Sequence, residues 1–213
     1  MKIIDFIKKL RSSFFFLRVN YWKPLNFKYG RKGEKSYINL PAIIEGPQNI
    51  FLGDNVRIKP RSTILTLGEG KLIMKKNIGC AVGLTVVASN HRQKPGIIRD
   101  GSNNDNSYRD VIVEEDVWIG AHVTLLSGAH IGRGAIIGAG TVVRGQTVPP
   151  YAIVIGNPAK IIGFKFTPEE IIYHEEIVYP EAERIDVETI RNNYQEYYLN
   201  HKDDILKYRS LYI

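Results

Sequence analysis

The sequence predicts an all-β solenoid, a parallel β-helix with helices at both ends. Three observations carry this: an aliphatic residue every sixth position, a small or β-branched residue at the fifth place of each unit, and glycine recurring just after the aliphatic residue. Between Val113 and Ile161 the sixes read VEEDVW, IGAHVT, LLSGAH, IGRGAI, IGAGTV, VRGQTV, PPYAIV and IGNPAK. First places fall at Val113, Ile119, Leu125, Ile131, Ile137, Val143, Pro149, Ile155 and Ile161; all but Pro149 are aliphatic. Fifth places fall at Val117, Val123, Ala129, Ala135, Thr141, Thr147, Ile153 and Ala159, and Gly120, Gly132, Gly138 and Gly156 follow first places.

A period of six is neither that of a helix nor that of a plain strand. Each hexapeptide supplies a short strand and a corner, and three make a turn of about eighteen residues. The aliphatic side chain points into the prism and stacks on its equivalents one turn away. The corner admits only a small side chain, and glycine accepts its backbone angles.

The repeat is already visible at Leu40-Pro-Ala-Ile-Ile44 and is clear at Leu52-Gly-Asp-Asn-Val56. It slips at Thr66–Lys71, resumes at Met74, and breaks between His91 and Asp110. About six turns follow from the count. The break, residues 92–110, is polar, holds one proline and two glycines, and suits an excursion loop from a corner. Three segments result: residues 1–37 as a basic amphipathic helix and irregular lead-in, 38–163 as the β-helix, and 164–213 as a helical cap. In the cap, Thr167-Pro168-Glu169-Glu170 is a helix start, with threonine as N-cap and proline in the first turn. Helices are expected at 168–178, 186–198 and 201–208, covering the open end of the prism.

Charge is unevenly spread. Residues 1–35 hold ten Lys/Arg against two acids, 36–163 thirteen against nine, and 164–213 six against eleven. The basic excess thus belongs to the N-terminal arm rather than to a nucleic-acid groove. In residues 3–18, Ile3, Phe6, Ile7, Leu10, Phe14 and Leu17 form one helical stripe, with Lys8, Lys9, Arg11 and Arg18 mostly outside it. Two readings stay open: peripheral contact with an anionic membrane, or packing as a cap or subunit contact. No secretory signal or membrane-spanning run is expected. The single cysteine, Cys80, excludes an internal disulfide, fits a reducing compartment, and takes an inward repeat position.

The block VEEDVWIGAHVTLLSGAHIGRGAIIGAGTVV followed by VPPYAIVIGNPAKIIG resembles the hexapeptide-repeat acyltransferases. Within them it is similar to the maltose, galactoside and Nod-factor O-acetyltransferases, and to those modifying capsule, colanic-acid and O-antigen sugars. The resemblance covers about Leu40 to Phe166. It implies a left-handed β-helix, a homotrimer with active sites between subunits, acetyl-CoA as donor, and a sugar or polysaccharide acceptor. A cytoplasmic enzyme is expected, and the basic N-terminal helix suits the inner membrane surface.

His91 stands where that family carries its catalytic histidine. A neutral imidazole there can take the proton of an acceptor hydroxyl as it attacks a thioester. The resemblance further assigns the Ala121 N–H, beside Gly120, to the thioester oxygen, and Trp118 to the acetyl pocket. Asn90 would orient the acceptor or His91. Gly138 and Ala139 would flank the pantetheine arm, and Arg144 and Lys160 would meet the nucleotide phosphates. Arg144-Gly-Gln-Thr-Val148 reads one residue longer than its counterparts in these enzymes. No metal is expected: His91, His122 and His130 do not follow the spacing of the zinc histidines in β-helix carbonic anhydrases. An amino-sugar N-acetyltransferase, a xenobiotic acetyltransferase and a non-catalytic β-helix are the other readings.

Overall fold

The computed structural model describes residues 2–92, 95–96 and 106–212. The described chain winds as a parallel β-helix with three faces. The first face carries six strands, Arg31–Lys32, Ile50–Leu52, Leu72–Met74, Val111–Val113, His130–Ile131 and Thr147–Val148. The second runs Tyr37–Ile38, Val56–Ile58, Ile78–Cys80, Trp118–Ile119, Ile136–Ile137 and Ala152–Ile155, closed by Lys160–Phe164. The third holds Ala42–Glu45, Ser62–Leu65, Thr85–Val87, Thr124–Leu126 and Val142–Val143.

Repeat spacing sets the pairing. Ile112 pairs with His130 and Leu125 with Val143, each eighteen residues on. The first-place residues Ile119, Leu125, Ile131, Ile137 and Val143 are fully buried. So are Val123, Ala129, Ala135 and Thr141 at fifth places, and the Thr141 hydroxyl donates to the Gly138 carbonyl at 2.7 Å. Cys80 is 2% exposed, and burial pushes its thiol up to about 12, so it is a core residue and not a nucleophile.

The register from Val143 onward needs correction. Ile131 pairs with Val148 and Ile137 with Val154, only seventeen residues on. Val148 and Val154 are the inward residues, while Ile155 is half-buried. The corner after Val143 is therefore one residue short of a hexapeptide, and Gly145 closes it at φ +55. Pro149 is not a strand residue, and Ala152 replaces Ile153 at the small inward site. A one-residue slip would have turned every side chain to the other face, so burial fixes the register.

Ile161 does not open a ninth parallel unit. Lys160–Phe164 folds back antiparallel on Ala152–Ile155, matching Ile155 with Lys160 and Val154 with Ile161. This hairpin ends the coil and covers its last strand edge. At the other end, the stretch read as irregular lead-in contains two coil strands, Arg31–Lys32 and Tyr37–Ile38, paired to Phe51–Leu52 and Arg57–Ile58. The first shows no inward residue, because Arg31 and Lys32 are both exposed.

Helix α1, Lys2–Leu17, continues through a π-helical turn, Arg18–Trp22, into the short α2, Lys23–Leu25. At the C-terminus α3 (Pro168–Val178), α4 (Val187–Tyr197) and α5 (Lys202–Tyr212) form the expected cap. Thr167 and Glu170 form a reciprocal capping box: Glu170 N–H donates to Thr167 Oγ1 at 3.3 Å, and Thr167 N–H to Glu170 Oε2 at 2.8 Å. Thr167→Ala is expected to cost about 1 kcal/mol, read by denaturant unfolding. Tyr151, Ile171 and Ile190 form the core between cap and coil.

Candidate functional site

His91 ends the strand Ser89–His91, which leaves the coil at the corner between third and first faces. Asn106–Tyr108 returns antiparallel to it, setting His91 opposite Asn106 and Asn90 opposite Ser107. The base of the excursion is thus a hairpin, which fixes the His91 backbone although its side chain is exposed. The side chain of Asn90 contacts the His91 backbone: its Oδ1 accepts the His91 N–H at 2.8 Å. Residues 93–94 and 97–105 of the expected acceptor loop lie outside the described residues.

His91 and Asn90 line a cavity of about 640 Å³ with Glu45, Tyr108, Arg109 and Arg144. Arg109 was not singled out in the sequence. Its N–H donates to Ser127 Oγ at 3.1 Å and its guanidinium to the Ser127 carbonyl at 3.3 Å. The guanidinium lies across two corner glycines: a Cβ on Gly128 would come 2.7 Å from its Cζ, and one on Gly145 2.7 Å from its Nη2. Gly68 makes room in the same way for the Tyr108 ring. The only signal for these residues was glycine at corners whose partner arrives from the excursion.

The other assigned residues gather elsewhere. Gly120 and Ala121 form the corner between second and third faces, stacked on Gly138, Ala139 and Gly140 one turn on. The Gly140 N–H donates to the Ala121 carbonyl at 2.8 Å, and a Cβ on Gly120 would come 2.6 Å from the Ala139 nitrogen. The corner is smooth because its residues are small. Trp118, 55% exposed, projects from the adjoining second face and lies over Gly79, where a Cβ would come 2.9 Å from its ring.

Arg144 and Lys160 do not share a site within the chain. Arg144 lines the His91 cavity and donates to Asn157 Oδ1 at 3.2 Å. Lys160 lies 5.3 Å from the Tyr208 ring centroid, in a separate cavity of about 530 Å³ beside α5. One chain thus unites His91, Asn90 and Arg144 at one corner, and Gly120, Ala121, Gly138 and Ala139 at another.

His130 and His122 make local contacts. His130 Nε2 lies 3.0 Å from Glu114 Oε1, and Lys75 pairs with the same carboxylate. Burial alone would raise the Glu114 pKa, but the hydrogen bonds from Lys75 and His130 outweigh it and hold the carboxyl below its usual range. His122 takes a left-handed corner position at φ +56, its ring against Gly83. Among the described residues no group of three or more His, Cys, Asp or Glu is arranged to hold a metal ion.

These features define a hexapeptide-repeat β-helix with a histidine on its excursion hairpin. The bacterial transferase hexapeptide family (six repeats) matches residues 110–145. The chain is 48% identical over 62 residues to a chloramphenicol acetyltransferase of Klebsiella aerogenes, a match covering 29% of this chain and 29% of that protein. It thus spans under a third of the length of that curated relative. Among solved structures it is similar to a galactoside acetyltransferase in complex with coenzyme A, with TM-score 0.61 and 20% identity, over 84% of this chain and 88% of that one. It is also similar to a maltose O-acetyltransferase from Clostridium difficile 630, with TM-score 0.56 and 25% identity, over 62% and 68%. The resemblance to hexapeptide-repeat acetyltransferases, galactoside and maltose O-acetyltransferases among them, is borne out.

Proposed function

We propose that this protein is an acetyl-CoA-dependent O-acetyltransferase acting on a sugar hydroxyl, of a surface polysaccharide or its precursor. The observation that carries the reading is the division of the site between two corners of one prism. His91 stands in a cavity at the third-to-first corner, while the smooth Gly120–Ala121 and Gly138–Ala139 corner lies apart. A homotrimer that sets one copy's first group against the next copy's second group completes the site.

In that site the His91 imidazole takes the acceptor hydroxyl proton as the oxygen attacks the thioester carbonyl. The tetrahedral oxyanion receives the Ala121 N–H of the adjoining copy. The C–S bond then breaks, and the imidazolium returns its proton to the departing sulfur. No covalent enzyme intermediate forms, in keeping with the buried Cys80. Trp118 walls the acetyl group, and Gly138 and Ala139 let pantetheine approach the backbone. Arg144 and Lys160 meet the phosphates from different surfaces.

The identity to a chloramphenicol acetyltransferase favours a second reading, acetylation of a xenobiotic, in place of the sugar. Thiol release from acetyl-CoA, followed with a panel of sugars, amino sugars and chloramphenicol, separates them. Fastest turnover on a neutral sugar is the expected result. Turnover confined to an amine or to chloramphenicol would replace the acceptor assignment, and absence of acetyl-CoA binding would leave a non-catalytic β-helix.

A further inference from the structure

We infer that the N-terminal arm is a docking element for an anionic lipid surface, set beside the His91 cavity. In α1 the side chains of Phe6, Ile7, Leu10, Phe14, Phe15, Phe16 and Leu17 are all exposed, Phe14 at 67% and Phe15 at 65%. Trp22 and Leu25, at 70% and 75%, extend the apolar surface past the helix. An unpartnered apolar surface of this length has an occupant in solution or on a membrane.

Charge selects the occupant. The same segment holds Lys8, Lys9, Arg11, Arg18 and Lys23, all exposed, and residues 1–35 carry ten cations against two acids. Apolar side chains interleaved with cations suit a helix lying in the interface of a bilayer with anionic headgroups. Tyr21 and Trp22, both exposed at the base of the arm, are residue types that settle at the headgroup level. Among the described residues no helix is long and apolar enough to cross a membrane, so α1 would lie on the surface.

A second copy fits less well. Arm against arm opposes like charges. The acidic segment, residues 164–213, caps the other end of the coil, so its charge does not lie beside the arm.

The arm also leads toward the chemistry. Its base packs on Ala42–Glu45, with Pro24 buried. A cavity of about 830 Å³ lies between Phe14 and Asn26. Another of about 590 Å³ shares Arg18, Trp22 and Asn26 with it and reaches Glu45 and Leu67. Those two residues also wall the His91 cavity. A surface seated on the arm therefore stands next to His91, which suits an acceptor carried on a lipid. That last step rests on the proposed acetyl transfer; the docking does not.

The test is co-sedimentation of the full-length protein with vesicles of phosphatidylcholine, alone or mixed with phosphatidylglycerol. Binding to the mixed vesicles, at least tenfold weaker on neutral ones and weakened by salt, is expected. Phe14→Glu with Phe15→Glu should abolish it. Lys8→Gln with Lys9→Gln and Arg11→Gln should remove its salt-sensitive part, and sugar acetylation measured without vesicles should not change in either variant. Equal binding to both vesicles, no binding to either, or binding indifferent to these substitutions would overturn the inference. So would a lower solution mass of the Phe14→Glu, Phe15→Glu variant, which would place the arm between copies. Loss of acetyl transfer with vesicle binding intact would count against the catalytic reading alone.

Discussion

His91→Ala is expected to lower acetyl transfer by about 10²–10⁴-fold, the usual worth of a positioned general base, with folding and donor binding intact. The imidazole is exposed at the cavity mouth, so its removal leaves no void in the core. The strand that carries it is held by its backbone pairing to Asn106–Tyr108, which alanine retains. The loss should therefore fall on kcat rather than on the affinity for acetyl-CoA. Equal turnover by the variant would remove His91 from the mechanism.

The same variant tests the division of the site. Ala139 is exposed on the small-residue corner, so Ala139→Trp should obstruct the donor without disturbing the core. Each variant alone should be nearly inactive. Mixed and reassembled, they should regain a share of the activity, because some sites would join an intact His91 to an intact Ala139 corner on another copy. A site contained in one chain would gain nothing on mixing.

The sequence showed the coil most plainly where burial and repeat coincide. Ile119, Leu125, Ile131, Ile137 and Val143 were readable because an inward position tolerates only a narrow set of side chains. Counting sixes failed after Val143 because the count cannot see a corner shortened by one residue. Val148 and Thr147 are chemically interchangeable with their neighbours in such a count, and only pairing to His130 and Ile131 sets them. The first strand was hidden for a different reason. Arg31 and Lys32 are both exposed on the first turn, where burial places no demand on them.

The site was legible in part. The sequence offered His91 and the small residues from Gly120 to Ala139 one by one, while their grouping into two corners is a property of the winding. Arg109 and Tyr108 were invisible because their roles come from glycines distant in sequence, Gly128, Gly145 and Gly68. That Arg144 lines the His91 cavity and Lys160 a separate one is likewise visible only once the chain is wound.

Glu175→Ala is expected to destabilise the folded chain by about 3–5 kcal/mol, the cost of breaking a buried ionic network at one member. Glu175 is 1% exposed and ties the cap to the coil through three elements. Its Oε2 accepts from Arg133 Nη1 at 2.8 Å and from the Ile185 N–H at 2.9 Å, and its Oε1 accepts the Tyr151 hydroxyl. Arg133 also pairs with Glu115 and lies 3.9 Å over the Tyr179 ring. Burial first, then the bond to Glu175, raises the Tyr151 hydroxyl far above its usual range, so it donates as the neutral phenol. Tyr151 sits at φ +61, a left-handed position unfavourable for a bulky side chain, and is fully buried. Removing its acceptor leaves both a strained residue and an orphaned buried hydroxyl. Denaturant unfolding reads the effect, with exposed Glu176→Ala as the control, expected within about 0.5 kcal/mol of the parent. A Glu175→Ala loss no larger than that of the control would mean that the apolar contacts of Ile171 and Ile190 alone hold the cap on the coil.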